Sequence, residues 1–214
     1  MRPLMILSLV ALLAGACGRP DYDVVQYADP QIGSVHGRWF FYTPAAVPFG
    51  MAKLAPHTNA YNSFGSWQPC GYDDRHTSIE GFGHFHEFQV GGVVSMPVTG
   101  PLRTLPGSLE DPGSGYRSRF DKRTEQAEPG YYSVFLEDYG ITAELTATTR
   151  VGYHRYTFPA SDQARILFDV GHKQGESSDV TEACAALVNG SDVQGYVITY
   201  PEYVKFCDEG KRVK

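Results

Sequence analysis

The residues best placed to do chemistry lie in one stretch. Gly65-Ser66-Trp67-Gln68-Pro69-Cys70-Gly71-Tyr72-Asp73-Asp74 is followed shortly by Gly81-Phe82-Gly83-His84-Phe85-His86-Glu87-Phe88. It holds one of the chain's 2 tryptophans, a cysteine, His76, His84 and His86 out of 7 histidines, and a group of carboxylates, all punctuated by glycine. Flat apolar faces beside hydrogen-bonding groups on an irregular loop are what a polar ring such as a sugar needs from a protein.

Each candidate carries two readings. Trp67 either stacks on the C–H face of a pyranose while its indole N–H keeps a polar partner, or fills the core. Cys70, Gly71, Tyr72 and Asp73 form a tight turn whose backbone approaches a ligand, with Gly71 permitting the closeness, or a plain turn. Asp73 and Glu87 accept from vicinal hydroxyls or are ordinary exposed carboxylates. If residues 81–88 are extended, His84 and His86 share one face with Phe82, and Phe85 points the other way. That histidine pair lines a pocket or is satisfied inside the fold; no third ligand is evident, so no metal is assigned to it. A second group, His36, Arg38 and Trp39, reads as structural, as do His154 and Arg155 on an alternating strand.

The elements that must position these groups are strands. Tyr131 to Leu136 is aromatic and β-branched, Asp138-Tyr139-Gly140 supplies a turn, and Ile141, Ala143, Leu145 and Ala147 alternate with polar partners at period two. Val151 to Phe158, Arg165 to Val170, and a hairpin of Val193–Tyr200 with Tyr203–Cys207 about Pro201-Glu202 continue the pattern, with Pro159–Gln163 as a connector. Leu105–Gly115 is a surface loop. Val180–Val188 is the best helical candidate after the leader, and Asp208–Lys214 reads as a charged stop with no closing element. Short strands separated by Gly and Pro predict an all-β fold, a β-sandwich with a long loop-rich N-terminal half.

At 214 residues the chain has the size of one ordinary all-β domain. A formal net charge of -6 leaves no basic footprint, so nucleic acid is excluded as a partner. Residues 1–16 read as a cleaved signal segment, with Arg2 ahead of the apolar run Leu4–Leu13, which is too short to span a bilayer. Ala14-Gly15-Ala16-Cys17 fits two sites: a lipobox that would lipidate Cys17, or ordinary small-x-small cleavage. Both predict export, the first as a periplasmic or outer-membrane lipoprotein of a bacterium that meets the membrane only through its lipid. Residues 17–24 form a tether and 25–214 the folded domain. In an oxidising compartment Cys184 and Cys207 can pair, leaving Cys70 over; spacing does not decide it.

Several blocks, in this order, resemble glycoside hydrolase family 92. They are Tyr27-Ala28-Asp29-Pro30-Gln31-Ile32-Gly33, Ala46-Val47-Pro48-Phe49-Gly50-Met51, Gly81-Phe82-Gly83-His84-Phe85-His86, Met96-Pro97-Val98-Thr99-Gly100, Glu128-Pro129-Gly130-Tyr131-Tyr132-Ser133-Val134, and the run from Glu144 to Tyr156. The resemblance implies a calcium-dependent, inverting exo-α-mannosidase with an N-terminal β-sandwich of the supersandwich type and a larger helical toroid. Only the sandwich is matched, over about Tyr27 to Val170. In the family the general acid, the general base and most calcium contacts belong to the helical domain.

The resemblance therefore implies no catalytic residue in this chain and no calcium bound by it alone. Read from the residues themselves, the substrate-binding set is Trp67, Cys70, Gly71, Tyr72, Asp73, His84, His86 and Glu87, and the resemblance adds that aromatic residues of this loop help form the sugar pocket. The partners that the resemblance implies are mannose-containing glycans and the helical catalytic domain. Chemistry points the same way, since inversion needs two carboxyl groups roughly 6.5 to 9.5 Å apart across the sugar. Asp73, Asp74, Glu80 and Glu87 are available, but the sequence does not pair them. The alternative function is a stand-alone carbohydrate-binding surface lipoprotein.

Overall fold

The computed structural model describes residues 23–35, 42–58, 71–84, 92–173 and 179–199, with the backbone of 211–213. Cys17 and the leader, His36, Arg38, Trp39, Trp67, Cys70, His86 and Glu87 lie outside the described residues.

Two four-stranded antiparallel sheets hold the core. The first joins β1 (Ala55–His57), β3 (Gly81–Gly83), β4 (Val94–Val98) and β10 (Arg165–Asp169), in that spatial order. The second is a meander of β6 (Gln126–Glu128), β7 (Tyr131–Leu136), β8 (Ile141–Ala147) and β9 (Gly152–Thr157). A short pair, β2 (Ser78–Ile79) with β5 (Ser118–Arg119), accompanies them. Among the described residues the only helical turns are 3-10, at Val24–Tyr27, Pro112–Ser114 and Lys122–Thr124. The all-β, sandwich-type expectation is met.

The period-two reading of β8 explains the packing. Ile141, Ala143 and Leu145 are buried, and Thr142, Glu144 and Thr146 face away from the core. Each buried Ile or Leu contributes roughly 1.5–3 kcal/mol of apolar burial. Tyr132, Val134 and Leu136 of β7 join the same core with Met96 and Val98 of β4 and Tyr42, Leu54 and Tyr72 from the loop-rich half. β4 is buried along its whole length. Its Pro97, lacking an N–H, sits where β4 has only β10 as neighbour, since β3 pairs with β4 through Phe82 and Ser95 alone.

Two expectations at the C-terminal end are corrected. Val180–Val188 is not a helix but strand β11, paired with β12 (Asp192–Thr199). Its alanines and leucine favour a helix locally, but pairing across the turn at Asn189-Gly190 overrides that propensity. The terminal charged residues are not a bare stop either: Lys211–Val213 forms β13 against Val197–Thr199 of β12. The partner foreseen for β12 at Tyr203–Cys207 lies outside the described residues.

Candidate functional site

The described site residues fall into two places. Gly71, Tyr72 and Asp73 belong to a buried polar network beneath the loop-rich half. Tyr72 stacks on Tyr42 with ring centroids 4.0 Å apart. Its hydroxyl is 2.9 Å from both Glu125 carboxylate oxygens, Glu125 Oε1 also accepts from the Tyr132 hydroxyl at 2.8 Å, and Lys122 Nζ donates to the Tyr72 hydroxyl at 2.6 Å. Burial, with the Glu125 charge second, pushes the Tyr72 phenol far up, so it stays neutral. Asp73 is fully buried and clasped by its neighbour, with Arg75 Nε 2.8 Å and Nη2 2.5 Å from its oxygens. Burial alone would raise its carboxyl, but the Arg75 hydrogen bonds outweigh burial and hold it below the usual range.

Gly71 sits at φ +74 with the His57 ring where a Cβ would stand. His57 begins the innermost cluster. Its Nδ1 is 3.3 Å from Glu80 Oε1, the same oxygen that takes His172 Nε2 at 3.1 Å, and Arg117 Nη2 is 2.9 Å from the second oxygen. All four side chains are buried. Burial would raise the Glu80 carboxyl, yet the histidines beside it drive it far below the carboxylate range. Burial depresses His57, so it is neutral and donates from Nδ1, whereas the Glu80 charge overcomes burial at His172 and raises it. The charge on Glu80 thus favours the protonated form of His172 over that of His57.

This grouping is the one convergence of metal-ligating types among the described residues, with its donor atoms within 4.8 Å of one another. It does not fit calcium, which takes six to eight oxygen ligands. It is also short of acceptors rather than of cations. Arg117 Nε, Arg117 Nη1 and His172 Nδ1 are buried without acceptors, and an added cation would meet the guanidinium already on Glu80. The cluster reads as a structural ion-pair network that ties β1, the β2–β3 link, the run into β5 and the segment after β10 to one carboxylate. Glu80, noted in the sequence as an available acid, is committed there.

His84 stands elsewhere. It follows β3 on the same side as Phe82, as the alternation requires, and both rings meet His154 of β9, at 4.8 Å for His84 and 6.5 Å for Phe82. His84 lines a cavity of about 490 Å³ between the β9 and β10 strands and the β11–β12 hairpin, together with Ser95, His154 and Tyr156 on a polar wall. Phe168 and Val193 are on its apolar side. His84 Nε2 and His154 Nε2 are 2.6 Å apart, His154 Nδ1 is 2.7 Å from the Tyr156 hydroxyl, and that hydroxyl is 3.2 Å from Ser95 Oγ. A Cβ at Gly152 would meet the Leu54 methyls at 2.5 and 2.8 Å and the His84 ring at 2.9 Å. Neither Gly71, Tyr72 nor Asp73 lines this cavity.

Over residues 27–211 the chain matches the model of the glycosyl hydrolase family 92 N-terminal domain. The chain belongs to family 92. Among solved structures, a family 92 α-mannosidase of Bacteroides thetaiotaomicron in complex with mannoimidazole is 32% identical with a TM-score of 0.76, over 84% of this chain and 24% of that one. A family 92 inverting mannosidase of the same organism, 22% identical with a TM-score of 0.65 over 86% of this chain and 24% of its own, shares the fold. An uncharacterized secreted glycosidase of Arthroderma benhamiae is 27% identical over 163 residues, 72% of this chain and 20% of that protein. The family 92 chain described here thus spans about a quarter or less of these relatives.

Sequence reasoning missed His154, Tyr156 and His172 as members of polar clusters. His154 and Tyr156 stand two apart on an alternating strand, as His84 does from Phe82, and that shared period was the available signal. Nothing near His172 pointed to Glu80, 92 residues earlier in the chain.

Proposed function

We propose that this family 92 domain is the N-terminal sugar-pocket and docking module of an exported α-mannosidase that acts on mannose-containing glycans. The supporting observation is the family match over 27–211 together with the likeness to an α-mannosidase solved with mannoimidazole. In this reading Trp67, Cys70, His86 and Glu87 contact sugar with backbone from Gly71 to Asp73, while His84 stands apart from that backbone on the β9–β10 cavity. The helical catalytic domain supplies the general acid, the general base and calcium. The Asp73 carboxylate and the Tyr72 hydroxyl act indirectly, by fixing the loop, since both are engaged by protein partners. Residues 1–16 are the signal, 17–24 the tether and 25–214 the sandwich, with Cys17 the lipid-bearing residue of a periplasmic or outer-membrane lipoprotein.

Two measurements test the proposal. The chain assayed with an aryl α-mannoside, with and without calcium, is expected to give no calcium-dependent turnover; clear turnover refutes the division of roles. Tryptophan fluorescence titrated with mannose oligosaccharides is expected to saturate and to lose that response in Trp67→Ala. A titration with no saturable change removes the sugar-pocket role.

A further inference from the structure

The cavity between β9, β10 and the β11–β12 hairpin has a feature that mannose recognition does not use: among the described residues no Asp, Glu, Lys or Arg lines it. Its polar wall is a single directed chain of hydrogen bonds. The Phe82 carbonyl only accepts, so Ser95 Oγ spends its one proton there, at 3.3 Å. Tyr156 must then donate to Ser95 and accept from His154 Nδ1–H. Burial lowers both imidazoles, His154 to about 4, so each carries a single N–H at neutral pH. His154 Nε2 is therefore the acceptor for His84 Nε2–H, and His84 ends the chain with Nδ1 as a bare lone pair. A buried carbonyl two residues away thus fixes the tautomer of a cavity-lining base.

We propose that this cavity binds an uncharged, flat amphipathic molecule with one hydroxyl, a hydroxylated aromatic, whose O–H donates to His84 Nδ1 while its ring packs against Phe168, Ile166 and Val193. The volume of about 490 Å³ falls in the range of small-molecule sites, and the apolar wall supplies the burial that a sugar would not use. An anion there would face a lone pair and, among the described residues, no cation. A ligand without a donor would leave Nδ1 unpaired. This inference does not rest on the mannosidase reading.

Fluorescence titration of the full chain with 2-naphthol, 2-methoxynaphthalene and 2-naphthoate tests it. Saturable binding of 2-naphthol is expected, with the methyl ether weaker by roughly tenfold, the worth of one neutral hydrogen bond, and the carboxylate weaker still. Ala185→Phe, which fills the cavity from an exposed strand, should abolish binding with the circular dichroism unchanged. His154→Phe should keep apolar binding but shrink the preference for the naphthol over its ether. Equal binding of the carboxylate, absence of saturable naphthol binding, or full binding by Ala185→Phe each overturns the proposal.

Discussion

Arg117 and Glu80 form an ion pair closed to water on both sides, Nη2 to Oε2 2.9 Å, with 0% and 4% of the side chains exposed. Between them they join the run into β5 to the link between β2 and β3, and His57 and His172 add their N–H groups to the same carboxylate. Removing one member leaves the other charged and unpaired in the interior, which costs about 3–5 kcal/mol, whereas replacing both by apolar groups costs far less. Glu80→Gln should therefore lower the urea midpoint severely, and Glu80→Met with Arg117→Met should recover only the part owed to the stranded guanidinium, since His57 and His172 still lose their acceptor. A Glu80→Gln protein within about 1 kcal/mol of wild type would show that the pair does not organise these segments.

The imidazoles set a pH dependence with a definite sign. His154 has a folded value of about 4, depressed by burial and then by His84. Its unfolded value is near the ordinary histidine 6.5. Between those values the unfolded chain binds more protons, so this residue's contribution is complete above about pH 6.5 and is lost as pH falls through 4, by up to about 3 kcal/mol. His172 runs the other way: its raised folded value gives stability that is present below the ordinary histidine range and lost as pH rises through that folded value. Melting temperatures of wild type and His154→Phe between pH 7 and 4 should converge as pH falls. Parallel curves would show that His154 is protonated equally in both states.

Gly71→Ala should act on stability before it acts on any ligand. The residue sits at φ +74, and a Cβ there would stand 2.6 Å from His57 Nε2. Left-handed backbone costs a non-glycine residue roughly 1–2 kcal/mol, and the displaced imidazole adds the loss of its bond to Glu80. A loss of about 2–3 kcal/mol in chemical denaturation, with a perturbed His57 ring resonance, is the expected result. An unchanged His57 signal would mean that the ring does not fill the space above this glycine.

The meander was legible because alternation and burial coincide: Ile141, Ala143 and Leu145 alternate in the sequence and are the buried face of β8. Tyr131 to Leu136 and the Asp138-Tyr139-Gly140 turn were equally local. β4 was not legible as a strand by pattern, because Val94–Val98 is covered on both faces and carries no period. The polar clusters were hidden for another reason. Glu80 gathers partners from His57, Arg117 and His172, and His84 meets His154 at a separation of 70 residues, so only strand pairing creates them. At the C-terminal end the alanine-rich composition of β11 spoke for helix, while Asn189-Gly190, the strongest local sign of a hairpin, stood just beyond it.

That turn is where the cavity wall is tested most directly. Asn189 and Gly190 both have positive φ, 53 and 77, as a type I′ turn requires, and Ser191 N–H reaches the Val188 carbonyl at 3.4 Å. Most of β11 is exposed, so the turn and the ladder to β12, rather than a buried face, hold the hairpin in register. Asn tolerates the left-handed region and Ala does not, so Asn189→Ala should weaken the hairpin by about 1 kcal/mol without unfolding the sandwich. Hydrogen exchange read residue by residue should show faster exchange across 180–199 and unchanged protection in β7 and β8. Because Cys184, Ala185 and Val193 line the cavity, the same substitution should loosen that wall and leave the Glu80 cluster intact. Equal acceleration in β7 would mean instead that hairpin and sandwich open as one unit.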